Sequence, residues 1–196
     1  MMPKQEVYTF ADILNWDEEE QMELIDGELF MMAPPSSSHQ FIVAEMLRQF
    51  GNYLEGKKCR IAAAPFGVRL FEKAGDNPEN VDTMVEPDLI VMCDTTKIDS
   101  QGYKGAPDLI VEVLSPSTMR HDRLVKFNLY QKAGVKEYWI VDPKNKSVQV
   151  FLRDGKYLRL DEDYSEKDIA KVNVLENCMI DLKKVFAAAD ESQYNS

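Results

Sequence analysis

The chain has 196 residues, 44% of them hydrophobic, which is enough to bury one core and typical of one domain. Its 34 acidic residues exceed the 23 basic ones, and the net charge of −11 excludes a chain that grips polyanions through overall basicity. Contact with nucleic acid would need a local basic surface or bound metal ions; otherwise the acidity serves solubility alone. We expect one domain over residues 1–196, with its core at about residues 10–188.

The protein is expected to be soluble, without a membrane partner, and cytoplasmic. Charges interrupt every apolar stretch well before the length of a membrane span. The cysteines are Cys59, Cys93 and Cys178, and their wide spacing contains no paired zinc-ligand motif. Because their number is odd, a disulfide framework is disfavoured, and we expect buried thiols in a reducing compartment.

The first predicted element is a β-hairpin. Asp26-Gly27 separates the apolar runs Met22–Ile25 and Glu28–Met32, and this dipeptide is a strong signal for a tight hairpin turn. Glu23 and Glu28 flank the turn, so we expect both to be surface acids.

The remaining elements follow as helices and short strands. Apolar residues at helical spacing predict a first helix in SHQFIVAEMLRQFGNYLEG, capped by Ser38 or a neighbouring serine and ending near Gly56. A second helix is expected between Ser115 and Gly134, and a short third one in IDLKKVFAAAD. Strands are expected at about residues 67–71, 88–92, 108–114, 137–141, 148–152 and 157–160. This order predicts an α/β (α+β) fold with a mixed central sheet flanked by helices.

Glu112 is the most informative residue of the predicted sheet. It interrupts LIVEVL, a strand otherwise apolar on both faces, and a buried carboxylate is costly unless it is paired, hydrogen-bonded or bound to a metal. Asp108 lies in the same strand about 13 Å away, which is too far to share one small cation. Asp88, which begins the preceding strand, would lie about 5 Å away if the register allows. We therefore expect Asp88 and Glu112 to converge on one ion.

The second helix adds a cation near this pair. Asp122, Lys126 and Tyr130 follow at successive i, i+4 spacings and form one polar stripe. In isolation the stripe would be read as a surface ion pair. Beside two carboxylates and a divalent ion, a lysine completes a phosphodiester hydrolase site, because its ammonium stabilises negative charge in the transition state.

Three further residues are accessory candidates. His39, at the start of the first helix, could carry a proton, but we expect it to cap and pack because the sequence shows no partner for it. Glu45 lies off the apolar stripe of that helix and could reach the metal cleft or stay solvated. Glu86 could supplement Asp88.

Taken together, ELIDGELF, PPSSSH, EPDLIV, APDLIVEVLSPST and DRLVKFNLYQKAGVKEYWIVDP resemble the Uma-type putative restriction endonucleases, a family of the PD-(D/E)XK nuclease superfamily. The resemblance runs from about Phe10 to Phe186. It implies a restriction-endonuclease-like core, ordered helix-strand-strand-strand-helix-strand, with a magnesium-type site. By position, Asp88 matches the motif aspartate, Glu112 the acid of the third strand, and the carbonyl of Val113 the backbone ligand.

The chain departs from the superfamily pattern at Leu114, where a lysine is usual. The resemblance implies that the lysine role has moved to the following helix, at Lys126. The resulting prediction is a DNA endonuclease dependent on Mg²⁺ or Mn²⁺, with Asp88, Glu112 and Lys126 as catalytic residues, and a homodimer is favoured because cutting two strands needs two sites. The alternative is a catalytically silent relative that serves as a dimeric binding module.

Overall fold

The computed structural model describes residues 7–14, 22–73, 75–115 and 121–190, and only the backbone of residues 121–123. Within these ranges the chain forms an α+β fold around a mixed central sheet. The strands are β1 (Met22–Ile25), β2 (Glu28–Met31), β3 (Arg60–Ala63), β4 (Val68–Arg69), β5 (Leu89–Met92), β6 (Ile98–Asp99), β7 (Gly102–Lys104), β8 (Leu109–Val113), β9 (Glu137–Asp142), β10 (Ser147–Asp154), β11 (Tyr157–Ser165), β12 (Ile169–Val172) and β13 (Cys178–Asp181). The α-helices are α1 (Phe10–Ile13), α2 (Ser37–Leu54), α3 (Phe127–Ala133) and α4 (Leu182–Ala188), and a π-helical turn, His121–Lys126, leads into α3.

The central sheet has the order β11-β10-β9-β8-β5-β3 among the described strands. β8 and β9 are parallel, and the other neighbours in this sheet are antiparallel. The chain leaves β8 and returns through α3 to β9, which is the crossover that a parallel pair requires. The helix, three strands, helix and strand of the expected core are therefore α2, β3, β5, β8, α3 and β9.

Apolar side chains fill both faces of this sheet. On one face, α2, α4 and the β12–β13 hairpin cover Leu89, Val111 and Trp139. On the other, α3 supplies Leu129 and Tyr130 to a cluster with Ile110 and Tyr138. Because side chains alternate along a strand, Glu112 shares its face with Ile110 and Leu114, the face covered by α3.

The predicted N-terminal hairpin is confirmed. Asp26 and Gly27 have φ angles of 48° and 80°, which is the left-handed backbone that a two-residue type I′ turn requires. The hairpin is fastened to the chain just before β5, since Leu24 and Met84 exchange both backbone hydrogen bonds, at 2.8 and 2.7 Å. A strand from the N-terminal part of the chain therefore lies beside the segment that contains Asp88.

The predicted α2 and β8 are confirmed, but two sheet assignments are wrong. The first core strand is Arg60–Ala63, whereas Val68–Arg69, near the expected strand at 67–71, belongs to a small separate sheet of order β4-β7-β6. The C-terminal part also contains the β12–β13 hairpin, which precedes the expected helix α4.

The expectation of three thiols is also wrong. Cys59 and Cys93 form a disulfide, and Cys178 is a buried free thiol. Arg60 pairs with Met92 across β3 and β5, so Cys59 and Cys93 lie opposite each other one residue beyond that pair. This neighbour relation depends on sheet register, which is why cysteine spacing along the sequence did not reveal it.

Candidate metal centre and active site

Asp88, immediately before β5, and Glu112, in β8, occupy neighbouring positions on adjacent strands. Leu89 pairs with Val111 in the antiparallel β5–β8 ladder, so Asp88 lies opposite Glu112 one residue further along. Residues opposite each other in such a ladder direct their side chains to the same face, with β-carbons about 5 Å apart. The register therefore brings the two residues close together in the sheet, and their convergence on one ion stays a prediction.

The Asp88 carboxylate is held by two partners from different elements. Its Oδ2 accepts a hydrogen bond from the backbone N–H of Val113 at 2.7 Å and lies 3.1 Å from His39 Nε2. His39 is buried in the first turn of α2, which Ser36 caps by accepting from the His39 N–H. His39 packs at the start of α2 as expected, but it also has a partner that the sequence did not show, because the helix N-terminus brings its ring to Asp88.

Glu112 is buried and bound by two side chains of the segment that follows β8. Its Oε1 accepts from Lys126 Nζ at 3.0 Å and from the Tyr130 hydroxyl at 2.5 Å. Burial, followed by the negative charge of Glu112, raises the pKa of Tyr130 well above its ordinary value, so its hydroxyl stays protonated and donates. The predicted spacing of Lys126 and Tyr130 thus brings both to one carboxylate.

Lys126 is a buried cation, which excludes the surface ion pair considered from the sequence. Its side chain is 3% exposed, and its ammonium also lies 2.9 Å from Glu23 Oε1. One ammonium therefore bridges two carboxylates, one from the hairpin strand β1 and one from the central strand β8.

Glu23 is the site residue that the sequence missed. It is 2% exposed rather than on the surface, and its Oε1 also accepts from the backbone N–H of Glu86 at 3.0 Å. Burial, and then repulsion from Glu23, raises the pKa of Glu86. Glu86 therefore belongs electrostatically with Glu23 and Lys126, beside the Asp88–Glu112 pair.

Glu45, the third accessory candidate, and Asp122 of the polar stripe have different outcomes. Glu45 is held on α2 by Arg48, whose Nε and Nη2 donate at 2.8 and 2.6 Å, and by Gln49. The hydrogen bond from Arg48 is the largest influence on the pKa of Glu45, which is lowered. Asp122 lies on the π-helical turn, and its side chain is outside the part of the chain that the structure describes.

A cleft of about 670 Å³ opens at the carboxyl ends of β8 and β9, and its lining residues include neither Asp88 nor Glu112. Ser38, next to His39, and Ser115, three residues beyond Glu112, contribute to its wall. Phe186 and Pro143 supply apolar surface, and Lys144 supplies a cation. Leu114 also lines it but is 4% exposed and packs in the core, so an aliphatic side chain fills the usual lysine position.

The donors fit a magnesium-type ion better than a fully protein-ligated metal. Among the described side chains, no group of three or more histidines, cysteines and acids is placed to hold a metal. Asp88, Glu112 and the Val113 carbonyl would supply two carboxylates and one backbone oxygen. Mg²⁺ commonly binds in this way, since it keeps several waters and completes its shell with substrate phosphate.

A mixed sheet with an acid pair on adjacent central strands and a buried lysine on the following helical segment defines an α+β protein with a nuclease fold. The chain belongs to the Uma2 family, described as "Putative restriction endonuclease", whose model matches residues 10–182. It is similar to a crystal structure described as a putative nuclease belonging to DUF820 from Anabaena variabilis, with a TM-score of 0.71 and 19% identity over 93% of this chain and 99% of that one. An uncharacterized protein of Synechocystis sp. is 29% identical over 161 residues, or 80% of each chain. In the part of the chain that is described, no helix is long and apolar enough to cross a membrane.

Proposed function

We propose that this protein is a metal-dependent endonuclease that hydrolyses DNA phosphodiester bonds. The observation that carries the proposal is the register that sets Asp88 opposite Glu112, with the Lys126 ammonium 3.0 Å from Glu112. Asp88, Glu112 and the carbonyl of Val113 would hold one Mg²⁺ or Mn²⁺. Such an ion, when bound, polarises a phosphate oxygen and lowers the pKa of a coordinated water.

The side chains around the pair perform the positioning that this chemistry needs. The Val113 N–H and His39 fix the orientation of Asp88, and Tyr130 fixes Glu112 by donating to it. Partners of this kind hold metal ligands in productive geometry, and their loss commonly costs about 10- to 100-fold in affinity or activity. Lys126 supplies a positive charge next to the acid pair, where it stabilises the charge that develops on the phosphoryl oxygens.

The cleft at the carboxyl ends of β8 and β9 is the proposed path of the DNA strand. Lys144 and Lys146 lie on its wall and suit phosphate oxygens, while Phe186 and Pro143 offer apolar surface to sugar and base. Since the chain carries a net charge of −11, DNA binding rests on these few cations and on the metal. We therefore expect affinity to fall with rising salt, with a shallow slope that reflects few phosphate contacts.

The proposed function also has consequences for the oligomeric state of the protein and for its compartment in the cell. Cutting both strands of a duplex is simplest with two sites, so we propose a homodimer, which light scattering of the purified protein would test. A DNA substrate would place the protein in the same compartment as the genome, and we propose the cytoplasm.

The direct test of the proposed activity is cleavage of supercoiled plasmid and of end-labelled single strands, with Mg²⁺, Mn²⁺ or EDTA. The parent is compared with Glu112→Gln and Asp88→Asn, and with Glu162→Gln as the matched control, because Glu162 is an exposed acid on β11 of the same sheet. We expect metal-dependent cleavage by the parent and the control, and a loss of more than about 100-fold in both site variants, since a ligand should matter more than its supporting partners.

Thermal unfolding of each variant separates a lost site from a lost fold. Equal cleavage by the parent and both site variants would assign the activity to a contaminant. A folded parent that binds DNA or a protein but cuts nothing with either metal would instead favour the catalytically silent module.

A further inference from the structure

The Lys126 ammonium is shared between two carboxylates with different surroundings. Glu112 belongs to the proposed metal pair, whereas Glu23 comes from β1 of the hairpin and lies 2.9 Å from Nζ. Both acids are almost fully buried, and the lysine is 3% exposed. Water therefore contributes little to holding the cation, and both anions attract it at hydrogen-bonding distance.

Once a metal is bound, Glu23 and Glu112 would not attract the Lys126 ammonium equally. A divalent ion on Glu112 shares the charge of that carboxylate and repels the nearby ammonium, so the attraction between Glu112 and Lys126 weakens. Glu23 does not lie in the pair formed by Asp88 and Glu112, and it retains its full charge. It is the anion that can keep Lys126 directed at the substrate under those conditions.

Backbone contacts fix the position of Glu23, which is distant in sequence from Asp88 and Glu112. Leu24 exchanges two hydrogen bonds with Met84, and Glu23 Oε1 accepts from the N–H of Glu86. These contacts tie β1 to the segment that leads into Asp88. The hairpin and the acid pair are thus parts of one hydrogen-bonded unit, and the position of Glu23 is set by backbone rather than by a flexible side chain.

We infer that Glu23 is a positioning residue whose charge holds the Lys126 ammonium in the active site. It thereby compensates for the absence of the lysine that is usual at the position of Leu114. The inference rests on the proposed nuclease function. It assigns to the N-terminal hairpin a part in the reaction itself, because the Lys126 ammonium would be held by a carboxylate of β1.

The test uses Glu23→Gln, which removes the charge but keeps an acceptor oxygen for the Glu86 N–H. Glu28→Gln is the matched control, since it makes the same change at an exposed position of the same hairpin. We expect kcat of Glu23→Gln to fall about 10- to 100-fold, as for other partners that orient a site. KM for DNA and the calorimetric affinity for Mn²⁺ should stay within about twofold of the parent, because Glu23 touches neither. Glu23→Asp, which restores the charge, should recover part of the loss.

A double-mutant cycle with Lys126→Met shows whether Glu23 acts through the lysine. If it does, kcat of the double variant equals that of Lys126→Met alone. In the metal-free protein, urea unfolding should show Glu23→Gln to be destabilising in the parent and stabilising in the Lys126→Met background, where the second carboxylate has lost its counter-ion. Because this arm measures stability, it does not depend on any activity.

Several outcomes would overturn the assignment. If kcat is unchanged in Glu23→Gln, or its loss simply multiplies with that of Lys126→Met, Glu23 does not act through the lysine. If Mn²⁺ affinity disappears in Glu23→Gln, the residue is a metal ligand instead. An active parent with any of these results refutes the role of Glu23 alone, whereas an inactive parent refutes the proposed function and this inference together.

Discussion

Replacing Lys126 by methionine should destabilise the protein strongly, for a reason that can be worked out from its contacts. The ammonium lies 2.9 Å from Glu23 and 3.0 Å from Glu112, and both acids are buried. Methionine fills a similar volume but leaves two buried carboxylates close together without a cation. Removing one partner of a buried ion pair typically costs about 3–5 kcal/mol, which corresponds to a fall in Tm of roughly 6–20 °C for a chain of this size.

Urea unfolding of the metal-free protein measures this cost, with Lys132→Met as the control. Lys132 lies on α3, six residues further along, and its side chain is 66% exposed, so its loss should change the free energy of unfolding by less than about 0.5 kcal/mol. Millimolar Mn²⁺ should restore part of the stability of Lys126→Met, since a dication neutralises Glu112 and Asp88. If Lys126→Met lowers the free energy of unfolding by less than about 1 kcal/mol, or by no more than Lys132→Met does, the ammonium does not balance the charge of the two buried acids.

Two further predictions concern the fold around the site. Glu137→Leu should lower the free energy of unfolding by about 3 kcal/mol or more. The buried carboxylate accepts hydrogen bonds from Trp139 Nε1 and from the backbone N–H groups of Asn173, at 3.1 Å, and Val174, at 2.7 Å. All three donors would lose their acceptor in this variant. A cost no greater than that of Glu162→Leu on exposed β11, measured by urea unfolding, would contradict this. Burial raises the pKa of Cys178 to about 11, so the folded thiol stays protonated at pH 8 and should react slowly with a thiol reagent. Titration of the oxidised protein should count no fast-reacting thiol when folded, one in denaturant and three after reduction; three in denaturant without reductant would contradict the disulfide.

Local signals in the sequence predicted the elements whose structure depends on near neighbours. The Asp26-Gly27 turn, the serine cap of α2 and the left-handed Gly134 after α3 each depend on a few adjacent residues, and all are confirmed. The pairing of Asp88 with Glu112 was predictable up to its register, because alternation along β8 identifies the face of Glu112 but not the residue opposite it.

The features that were missed depend on contacts between distant segments. Nothing near Glu23 in the sequence indicates burial, since its position follows from the backbone pairing of β1 with residues 84–86. His39 reaches Asp88 only because the N-terminus of α2 lies at that end of β5. Likewise, Arg60–Ala63 begins with a charged residue and is short, so its place in the central sheet is decided by pairing with β5 rather than by its own propensity.

In the proposed function, Asp88 and Glu112 form one divalent-metal site. The most direct measurement is anomalous diffraction from crystals of the protein grown or soaked with Mn²⁺. We expect an anomalous peak between the two carboxylates and beside the Val113 carbonyl, and its loss in crystals of Glu112→Gln. A peak at other acids, or none between Asp88 and Glu112 at saturating Mn²⁺, would contradict it.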